Sequence, residues 1–585
     1  MSTSIAQAAT PFAEDQLSEI RRLVGGATAE QRLWLSGYVA GFQAATDSPA
    51  APAAPPAAKA KLTILYATES GNAEALAGAA RKSAARLGFA ARTVDMMDTT
   101  PEQLAGAEAL LVIASTWGEG DPPQRAEGFL TALMAEDAPG LAGLRFAVLA
   151  LGDRAYAKFC ETGRQIDARL EALGGTRIAP RLDCDLDFHQ PAAAWIDTTL
   201  REIAPPADEA GAAVIHVDFA RPGAAEDRTR AFDAEITARI ILNSSRSDVE
   251  THHVELSLAG AGIAYEPGDS LGFSPRNDPV LVEDVLRLAG LDGDAAMHAA
   301  LTERLDITTL TRAQITDYAG LTGDAALRAL AEDAIRAAEF LRDRQFVDLL
   351  AAAPHKLTGE NLTNLLRPLP PRLYSVASSR AAVGEEAHLL IGAVRWNSHG
   401  RARNGVASVD VAERRGVGTT LPVYLKPNPH FRLPADPAAP IVMIGPGTGV
   451  APFRAFLQQR EATGATGRNW LFTGARRFTH DFLYQLEWRD WLQSGVLSRI
   501  DLAFSRDQRK KIYVQHRMWE ARGDLFAWLQ DGATVYVCGD AKAMAKDVHA
   551  MLLRVIADQS RRDADGAAAY LREMQRAGRY LRDVY

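Results

Sequence analysis

The sequence predicts a multidomain α/β protein: a doubly wound parallel sheet, an antiparallel β-barrel with a helical insert, and a second parallel sheet. Strand and helix signals alternate over residues 62–203, strands dominate from Val214, and alternation returns at Ile441. A length of 585 residues also exceeds what a single hydrophobic core usually holds, so we expect several domains.

The composition is that of a globular protein, with 47% hydrophobic and 23% charged residues. A formal net charge of −9 argues against nucleic acid as a partner. Residues 61–202 hold 14 basic and 20 acidic residues, whereas residues 436–585 hold 22 basic and 17 acidic ones. Opposite charges would let these parts dock on each other, or let the acidic part dock on a separate basic partner. Chance surface composition is the alternative explanation.

The three cysteines, Cys160, Cys184 and Cys538, form no CxxC pair, and an odd number makes a poor disulfide framework. A reducing cytoplasm fits this usage. No apolar run approaches the roughly 20 residues that span a bilayer, and no signal peptide is apparent. We therefore expect a cytoplasmic protein with no membrane partner.

The N-terminal segment, residues 1–46, reads as two short helices. The second would carry an apolar face of Leu33, Trp34, Tyr38 and Phe42 that cannot be buried within so short a segment. We expect this segment to mediate homo-oligomerisation or to pack on another domain. Residues 47–61, rich in proline and alanine, read as an extended linker.

The first predicted domain, residues 62–203, has strands at 62–67, 109–115 and 146–151 and helices at 74–87, 125–134 and 162–173. A loop follows each strand, and ligands of such sheets bind beyond the carboxyl ends of the strands. The first loop lacks the lysine of a P-loop, which favours a monophosphate over a nucleoside triphosphate. Trp117 and Tyr156 could enclose a flat ring. The candidate residues are Thr68, Glu69, Ser70, Gly71, Asn72, Ala73, Ser115, Thr116, Trp117, Gly118, Leu151, Gly152, Asp153, Tyr156, Phe159 and Cys160.

After a linker at 204–213, the barrel domain covers residues 214–435, with a helical insert at about 279–352. Its central stretch, 371–379, reads as a short strand. Arg372 can grip a diphosphate, the Tyr374 ring can stack on an isoalloxazine, and the Ser375 hydroxyl can reach a ring nitrogen. An ordinary barrel strand is the alternative. A small-residue turn, Gly405, Val406, Ala407 and Ser408, is a weaker diphosphate signal.

The last domain, residues 436–585, opens with a buried strand that feeds a glycine-rich turn and then a helix. Downstream, Ser505, Arg506 and Lys511 suit the 2′-phosphate of NADPH, where NADH would call for an acid. Cys538 is placed at the nicotinamide end, although a small buried residue is an equal alternative. The candidates are Gly445, Gly447, Thr448, Gly449, Ser505, Arg506, Lys511, Ile512, Tyr513, Val514 and Gln515.

Together these motifs, in this order and spacing, resemble the diflavin reductase family over nearly the whole chain. The resemblance implies a flavodoxin-like FMN domain, an FAD domain and a Rossmann-like NADP(H)-binding domain that pass electrons from NADPH through FAD to FMN. It also implies that Ser375, Cys538 and Asp583 surround the hydride-transfer site, that Tyr585 covers the FAD ring, and that lesser contacts come from Thr308, Leu390, Ile391, Gly392 and Asp547. Two departures, Trp396 for a usual tyrosine and Val406 for a usual glycine, affect the fine FAD geometry.

The branch of the family with the most similar plan supplies electrons for sulfite reduction in cysteine biosynthesis. Three scattered cysteines cannot hold a [4Fe–4S] cluster, which typically needs four. The resemblance therefore implies that siroheme and cluster belong to a separate hemoprotein partner. A soluble reductase for another haem acceptor, such as a P450-type protein, is the alternative enzyme. A scaffold that has lost its flavins is the non-enzymatic alternative.

Overall fold

The computed structural model describes residues 60–118, 120–156, 158–204 and 231–585, together with Ser18, Gly26 and Thr28. The predicted N-terminal helices, most of the 47–61 linker, nearly all of the 204–213 linker and the start of the barrel domain at Val214 lie outside the described residues. Below, the first region is residues 60–204, the second is 231–435 and the third is 436–585. The predicted limits of the domains remain predictions.

The first region is a parallel sheet of order β2-β1-β3-β4-β5, with β6 paired beside β4. Its strands are β1 (Lys61–Ala67), β2 (Ala90–Asp95), β3 (Ala109–Ser115), β4 (Arg145–Leu151), β5 (Thr176–Arg177) and β6 (Leu182–Cys184). Its helices are α1 (Asn72–Arg86), α2 (Glu127–Met134), α3 (Glu161–Ala172) and α4 (His189–Ile203). Separate apolar clusters cover the two faces of the sheet, which confirms the predicted doubly wound arrangement.

The second region is built on an antiparallel sheet of order β10-β9-β14-β7-β8-β11, and β12 and β13 form a separate hairpin. The strands are β7 (Phe232–Ile241), β8 (Thr251–Ser257), β9 (Ser270–Phe273), β10 (Arg372–Ser375), β11 (Glu386–Gly392), β12 (Arg395–Ser398), β13 (Arg401–Asn404) and β14 (Thr420–Lys426). An isolated bridge between Val376 and Leu389 links the two ends of the sheet. Closure into a barrel remains a prediction.

The helical insert lies between β9 and β10 and has its own apolar cluster. It continues beyond the predicted end near 352, because one more helix packs into it before β10. Its helices are α5 (Pro279–Ala289), α6 (Ala295–Glu303), α7 (Arg312–Thr322), α8 (Ala325–Glu332), α9 (Ala334–Leu341), α10 (Phe346–Ala352) and α11 (Gly359–Leu365). Two short helices follow β10 and β13, namely α12 (Arg380–Val383) and α13 (Val406–Val409).

The third region returns to a parallel sheet, of order β17-β16-β15-β18-β19. The strands are β15 (Ile441–Ile444), β16 (Asn469–Ala475), β17 (Arg499–Phe504), β18 (Thr534–Gly539) and β19 (Tyr580–Val584). The helices are α14 (Ala451–Ala462), α15 (Phe478–Asp481), α16 (Gln485–Ser494), α17 (Val514–Glu520), α18 (Arg522–Gln530), α19 (Met544–Ser560) and α20 (Ala564–Arg576). The chain therefore ends on an edge strand beside β18.

Candidate active site

The predicted phosphate loop, 68–73, joins β1 to α1 in the first region. Gly71 precedes the helix with φ +80°, a conformation that glycine adopts without strain. The Thr68 hydroxyl is buried and has no hydrogen-bond partner among the described residues. A buried hydroxyl without a partner is costly, and the loop lies at a helix N-terminus that favours anions. The loop therefore fits the phosphate of FMN.

The two other predicted loops follow β3 and β4, so the strand order places them at the same edge of the sheet. The Thr116 amide donates to the Leu151 carbonyl oxygen at 2.8 Å, which fixes one loop against the other. Tyr156 is 41% exposed, so its ring is free to meet a flat ligand. Cys160 differs, because its thiol points inward to the carbonyl oxygens of Ala150 and Cys184.

Glu69, in the phosphate loop, accepts a hydrogen bond from the Gln124 amide at 3.0 Å. Burial raises the pKa of Glu69, and the positive charge of Arg582 partly offsets this effect. Arg582 lies on β19 and contacts Gln124, and its guanidinium is 3.5 Å from Glu127. The last strand of the third region is therefore connected to the phosphate loop of the first through Gln124.

A cleft of about 1660 Å³ lies between the second and third regions. It is far larger than a drug-sized pocket and is large enough for a dinucleotide. Nearly all predicted FAD residues line it, namely Thr308, Arg372, Leu373, Tyr374, Ser375, Leu390, Gly392, Trp396, Gly405, Val406, Ala407, Ser408 and Tyr585. Ile391 is the exception: it is fully buried in the apolar cluster of the antiparallel sheet and does not face the cleft.

The strand β10 presents its three predicted functional residues as the motif suggested. Arg372 donates to the Pro370 carbonyl oxygen at 2.9 Å, and within the described regions it forms no ion pair with an acid. Its charge therefore remains available for a diphosphate. The Tyr374 ring stacks on Phe273, with centroids 5.4 Å apart, which holds its plane fixed along the cleft wall.

Ser375, Cys538 and Asp583, which the family resemblance brought together, do meet in space. The Ser375 hydroxyl donates to Asp583 Oδ2 at 2.6 Å, and Cys538 Sγ lies 3.8 Å from the same oxygen. Burial raises the pKa of Asp583, and the hydrogen bonds from Ser375 and Cys538 lower it. Burial also raises the pKa of the Cys538 thiol, which is therefore protonated.

Tyr585, the last residue, is held by its backbone, because its amide donates to the Gly539 carbonyl oxygen at 3.1 Å. Its side chain is 58% exposed, and its hydroxyl lies 2.7 Å from the Thr448 hydroxyl. Tyr585 and Thr448, which the sequence assigned to two different cofactors, thus share one hydrogen bond. The ring lines the cleft beside Ser375 and can be displaced by breaking that bond.

The glycine-rich turn after β15 packs against β18. A Cβ on Gly449 would lie 2.2 Å from the Cys538 carbonyl oxygen, so only glycine fits there. Gly447 and Thr448 line the cleft, whereas Gly445 and Gly449 are not among its lining residues and serve the close packing of turn and strand. Of the downstream candidates, Ser505, Tyr513, Val514, Gln515 and Asp547 line the cleft. The Gln515 amide donates to Asp547 at 2.9 Å.

Arg506, Lys511 and Ile512 do not line the cleft in this structure. Arg506 instead donates to Asp248 Oδ2, 2.5 Å away, in the second region. The sequence analysis missed Asp248 and its other partners, Arg476 and Arg477. A signal existed for the two arginines, because they directly follow β16 at the edge where ligands bind. No such signal pointed to Asp248, because its loop belongs to the second region and is distant in sequence from the three arginines.

Three family models match the chain: Flavodoxin over residues 64–195, FAD binding domain over 224–332, and Oxidoreductase NAD-binding domain over 443–550. The chain is 46% identical to the sulfite reductase [NADPH] flavoprotein alpha-component of Bacillus subtilis (strain 168), covering 98% of this chain and 99% of that relative. The proteins of the same name from Vibrio parahaemolyticus serotype O3:K6 and Yersinia pestis bv. Antiqua are 39% and 40% identical. Those two matches cover 99% and 98% of this chain and 96% and 98% of the relatives.

The chain belongs to the sulfite reductase [NADPH] flavoprotein alpha-component family. As a family member it is a flavoprotein oxidoreductase with sites for FMN, FAD and NADPH, as the sequence predicted. Two features of the structure agree with the matched domains: the Thr68 hydroxyl is buried without a partner, and the cleft is large enough for a dinucleotide. Across the described residues, no helix is both long and apolar enough to span a membrane.

Proposed function

We propose that this chain takes electrons from NADPH, passes them through FAD and FMN, and delivers them to a separate hemoprotein that reduces sulfite. One observation carries the proposal. Asp583, at the junction of the predicted FAD and NADP(H) sites, directly follows Arg582, which contacts Gln124 of the first region. The Gln124 amide in turn donates to Glu69 in the predicted phosphate loop, so one strand end is connected to all three predicted cofactor sites.

The chain's own residues account for the first step. When bound, the flavins would supply the chemistry that divides the electron pair of a hydride into the single-electron transfers that haem and iron–sulfur acceptors require. Asp583 orients the Ser375 hydroxyl through their 2.6 Å hydrogen bond. When ionised, its carboxylate favours the positive charge that develops on the nicotinamide as it is oxidised. Tyr585 shields the cleft until the nicotinamide displaces it.

We assign the site residues to the cofactors as the sequence analysis predicted them. Thr68, Gly71 and Asn72 would hold the FMN phosphate at the start of α1. Arg372 would bind the FAD diphosphate, and the α13 turn would approach it. Ser505, Arg506 and Lys511 would read the 2′-phosphate of NADPH, which requires Arg506 to leave Asp248. Thr308 and Asp547, which both line the cleft, would make lesser contacts with FAD and NADP(H) respectively.

The terminal acceptor belongs to another polypeptide. The three cysteines of the chain are free and buried, and they lie in two different regions. This leaves no cysteine set for a [4Fe–4S] cluster on the chain. The proposed partner is accordingly the siroheme and iron–sulfur subunit that such a reductase must serve. A cytoplasmic location and self-association through residues 1–46 complete the proposal and rest on the sequence pattern.

The decisive test mixes the purified full-length chain with NADPH, sulfite and a sulfite-reducing hemoprotein, and follows NADPH oxidation together with sulfide formation. We expect sulfide only when both proteins are present, and equal amounts of FAD and FMN on extraction of the flavins. Ser375→Ala should lower the rate about 100-fold without loss of bound flavin. NADPH oxidation that produces no sulfide, but does reduce a P450-type haem protein, would contradict the proposed acceptor.

A further inference from the structure

Asp248 lies on the loop between β7 and β8 and faces the third region across the cleft. Its Oδ2 atom is 2.5 Å from Arg506 Nη1 and 3.2 Å from Arg476 Nη1. Its Oδ1 atom is 3.6 Å from Arg477 Nη1. One carboxylate is therefore surrounded by three guanidinium groups, all of which are between 36% and 42% exposed.

The three arginines stand where a nucleotide anion would bind. Arg476 and Arg477 follow β16, and Arg506 follows β17, so all three lie at the carboxyl edge of the parallel sheet. Among the described residues, Asp248 is the carboxylate that pairs with all three guanidinium groups, so displacing it would make them available to another anion. Partial desolvation raises the pKa of Asp248, but the hydrogen bond and charge of Arg476 outweigh it and hold the pKa below its usual value. The carboxylate is therefore ionised at neutral pH.

We propose that Asp248 limits the affinity for NADP(H) by occupying, in the nucleotide-free protein, the place on Arg506 that the 2′-phosphate would take. Binding of NADP(H) then replaces the Asp248 carboxylate on Arg506 with the 2′-phosphate. This inference rests on the proposed function, in which Arg506 reads the 2′-phosphate. It adds a competing internal anion that comes from the FAD side of the cleft.

The exchange explains how one residue could ease release of the cofactor without blocking its binding. A 2′-phosphate carries a charge of about −1.5 to −2 at pH 7 and has three acceptor oxygens, so it can displace a carboxylate. NADH offers only a hydroxyl there and leaves Arg506 with Asp248. After NADP⁺ binds, Asp248 stays nearby as a like charge, which weakens the hold on the product.

The test compares Asp248→Asn, Asp248→Glu and the parent protein by calorimetric titration with NADP⁺, NAD⁺ and 2′,5′-ADP. In Asp248→Asn we expect the Kd for NADP⁺ and for 2′,5′-ADP to fall about two- to fivefold. The Kd for NAD⁺ should change by less than about twofold. Asp248→Glu keeps the charge and should restore values near the parent, which a merely structural role would not predict.

Asp531→Asn is the matched control, because it removes the same charge from an exposed pair with Arg468 elsewhere in the third region. It should leave all three Kd values unchanged. If Asp248→Asn fails to tighten NADP⁺ binding while Arg506→Ala weakens it, Asp248 is not a competitor and the inference fails alone. If Arg506→Ala raises the Kd for NADP⁺ and for NAD⁺ equally, Arg506 does not bind the 2′-phosphate. The proposed role of Arg506 and this inference would then both be wrong.

Discussion

The second region meets the third region and the first region in chemically different ways. At its junction with the third region, Ala377, Leu390 and Phe431 belong to one apolar cluster with third-region residues such as Phe453 and Phe456. No apolar cluster of the described residues joins the first region to either of the others. The side-chain hydrogen bonds and ion pairs of the first region with the other two link Asn72 to Lys426, Glu74 to His430, Asp121 to Lys546, Asp153 to Arg367, and both Gln124 and Glu127 to Arg582.

The two junctions therefore differ in expected stability and in their sensitivity to salt. Apolar burial contributes about 25 cal/mol per Å² and is not screened by salt, so we expect the second and third regions to hold the cleft as one body. Exposed ion pairs contribute about 0–1 kcal/mol each and are screened by salt. Five of the six polar contacts place a lysine or arginine of the second or third region against an acid or amide of the first. The first region therefore has a surface that can leave its site.

The largest expected effect comes from Arg454 at the apolar junction. It is 7% exposed and donates to the Ala377 carbonyl oxygen and to Glu487, both at 2.7 Å. Its guanidinium also lies 4.9 Å from the Tyr484 ring centroid. Arg454→Ala leaves several buried partners unsatisfied, so we expect it to lower the free energy of unfolding by roughly 3 kcal/mol. Urea unfolding, followed by tryptophan fluorescence, measures the change.

The matched control is Arg468→Ala, which removes a half-exposed arginine paired with Asp531 in the same region. We expect a loss below about 1 kcal/mol there. Equal losses of unfolding free energy in the two variants would show that the buried contacts of Arg454 do not stabilise the apolar junction.

A smaller effect should appear when the same junction is acidified. Burial first, and the charge of Arg454 second, lower the pKa of both His253 and His388 from 6.5 to about 4. In the unfolded chain these two histidines are therefore protonated below about pH 6.5, whereas in the folded chain they are protonated only below about pH 4. Stability is full above the unfolded pKa and falls as the pH drops through this window. We expect a loss on the order of 1 kcal/mol per histidine at pH 5.

Urea unfolding at pH 7.5 and pH 5 measures this loss in the parent protein and in His253→Asn. The control is His298→Gln, because the His298 side chain is 45% exposed. The first variant should lose part of the pH dependence and the second should keep all of it. If both retain the parent's slope, the buried histidines do not cause the acid sensitivity.

Much of this could be predicted from the sequence, because each motif is local. The loops after β1, β3 and β4 and the turn after β15 are runs of a few residues at strand ends, so alternation and glycine placement located them. The strand β2 was missed because it lies at the sheet edge, where Ala90, Arg92 and Thr93 are exposed and leave no apolar alternation. The edge strand β19 was also missed, although the resemblance located its end.

What could not be predicted are the contacts between regions. Asp248 and Arg506 are 258 residues apart, and Lys546 and Asp121 are 425 apart. No periodicity or motif relates residues at such separations, and only the folded arrangement of three sheets brings them together. The charge difference between the acidic and basic parts of the chain anticipated the sign of these contacts, but not their partners.

A still smaller effect concerns the polar junction, which salt should weaken. At about 1 M salt the Debye length is about 3 Å, so exposed pairs such as Asp121–Lys546 lose most of their attraction. Hydrogen–deuterium exchange at low and high salt reads both junctions in one sample. We expect faster exchange around residues 71–75, where Asn72 and Glu74 contact the second region. Exchange around Ala377, in the apolar junction, should not change. Parallel changes at both sites would contradict the comparison.

The smallest expected effect is that of Lys546, whose pair with Asp121 is the most exposed contact of the polar junction. The side chains are 63% and 54% exposed, and their charged atoms are 2.9 Å apart. Because water competes for both groups, Lys546→Ala should weaken docking of the first region by less than about 1 kcal/mol. A double-mutant cycle with Asp121→Ala isolates the pair from other effects of each change, with docking measured from exchange protection. A coupling of about 0.2–1 kcal/mol that vanishes in high salt is expected. A coupling well above that range, or one that salt leaves unchanged, would mean that the pair is desolvated in solution and that the first region is held as firmly as the other two.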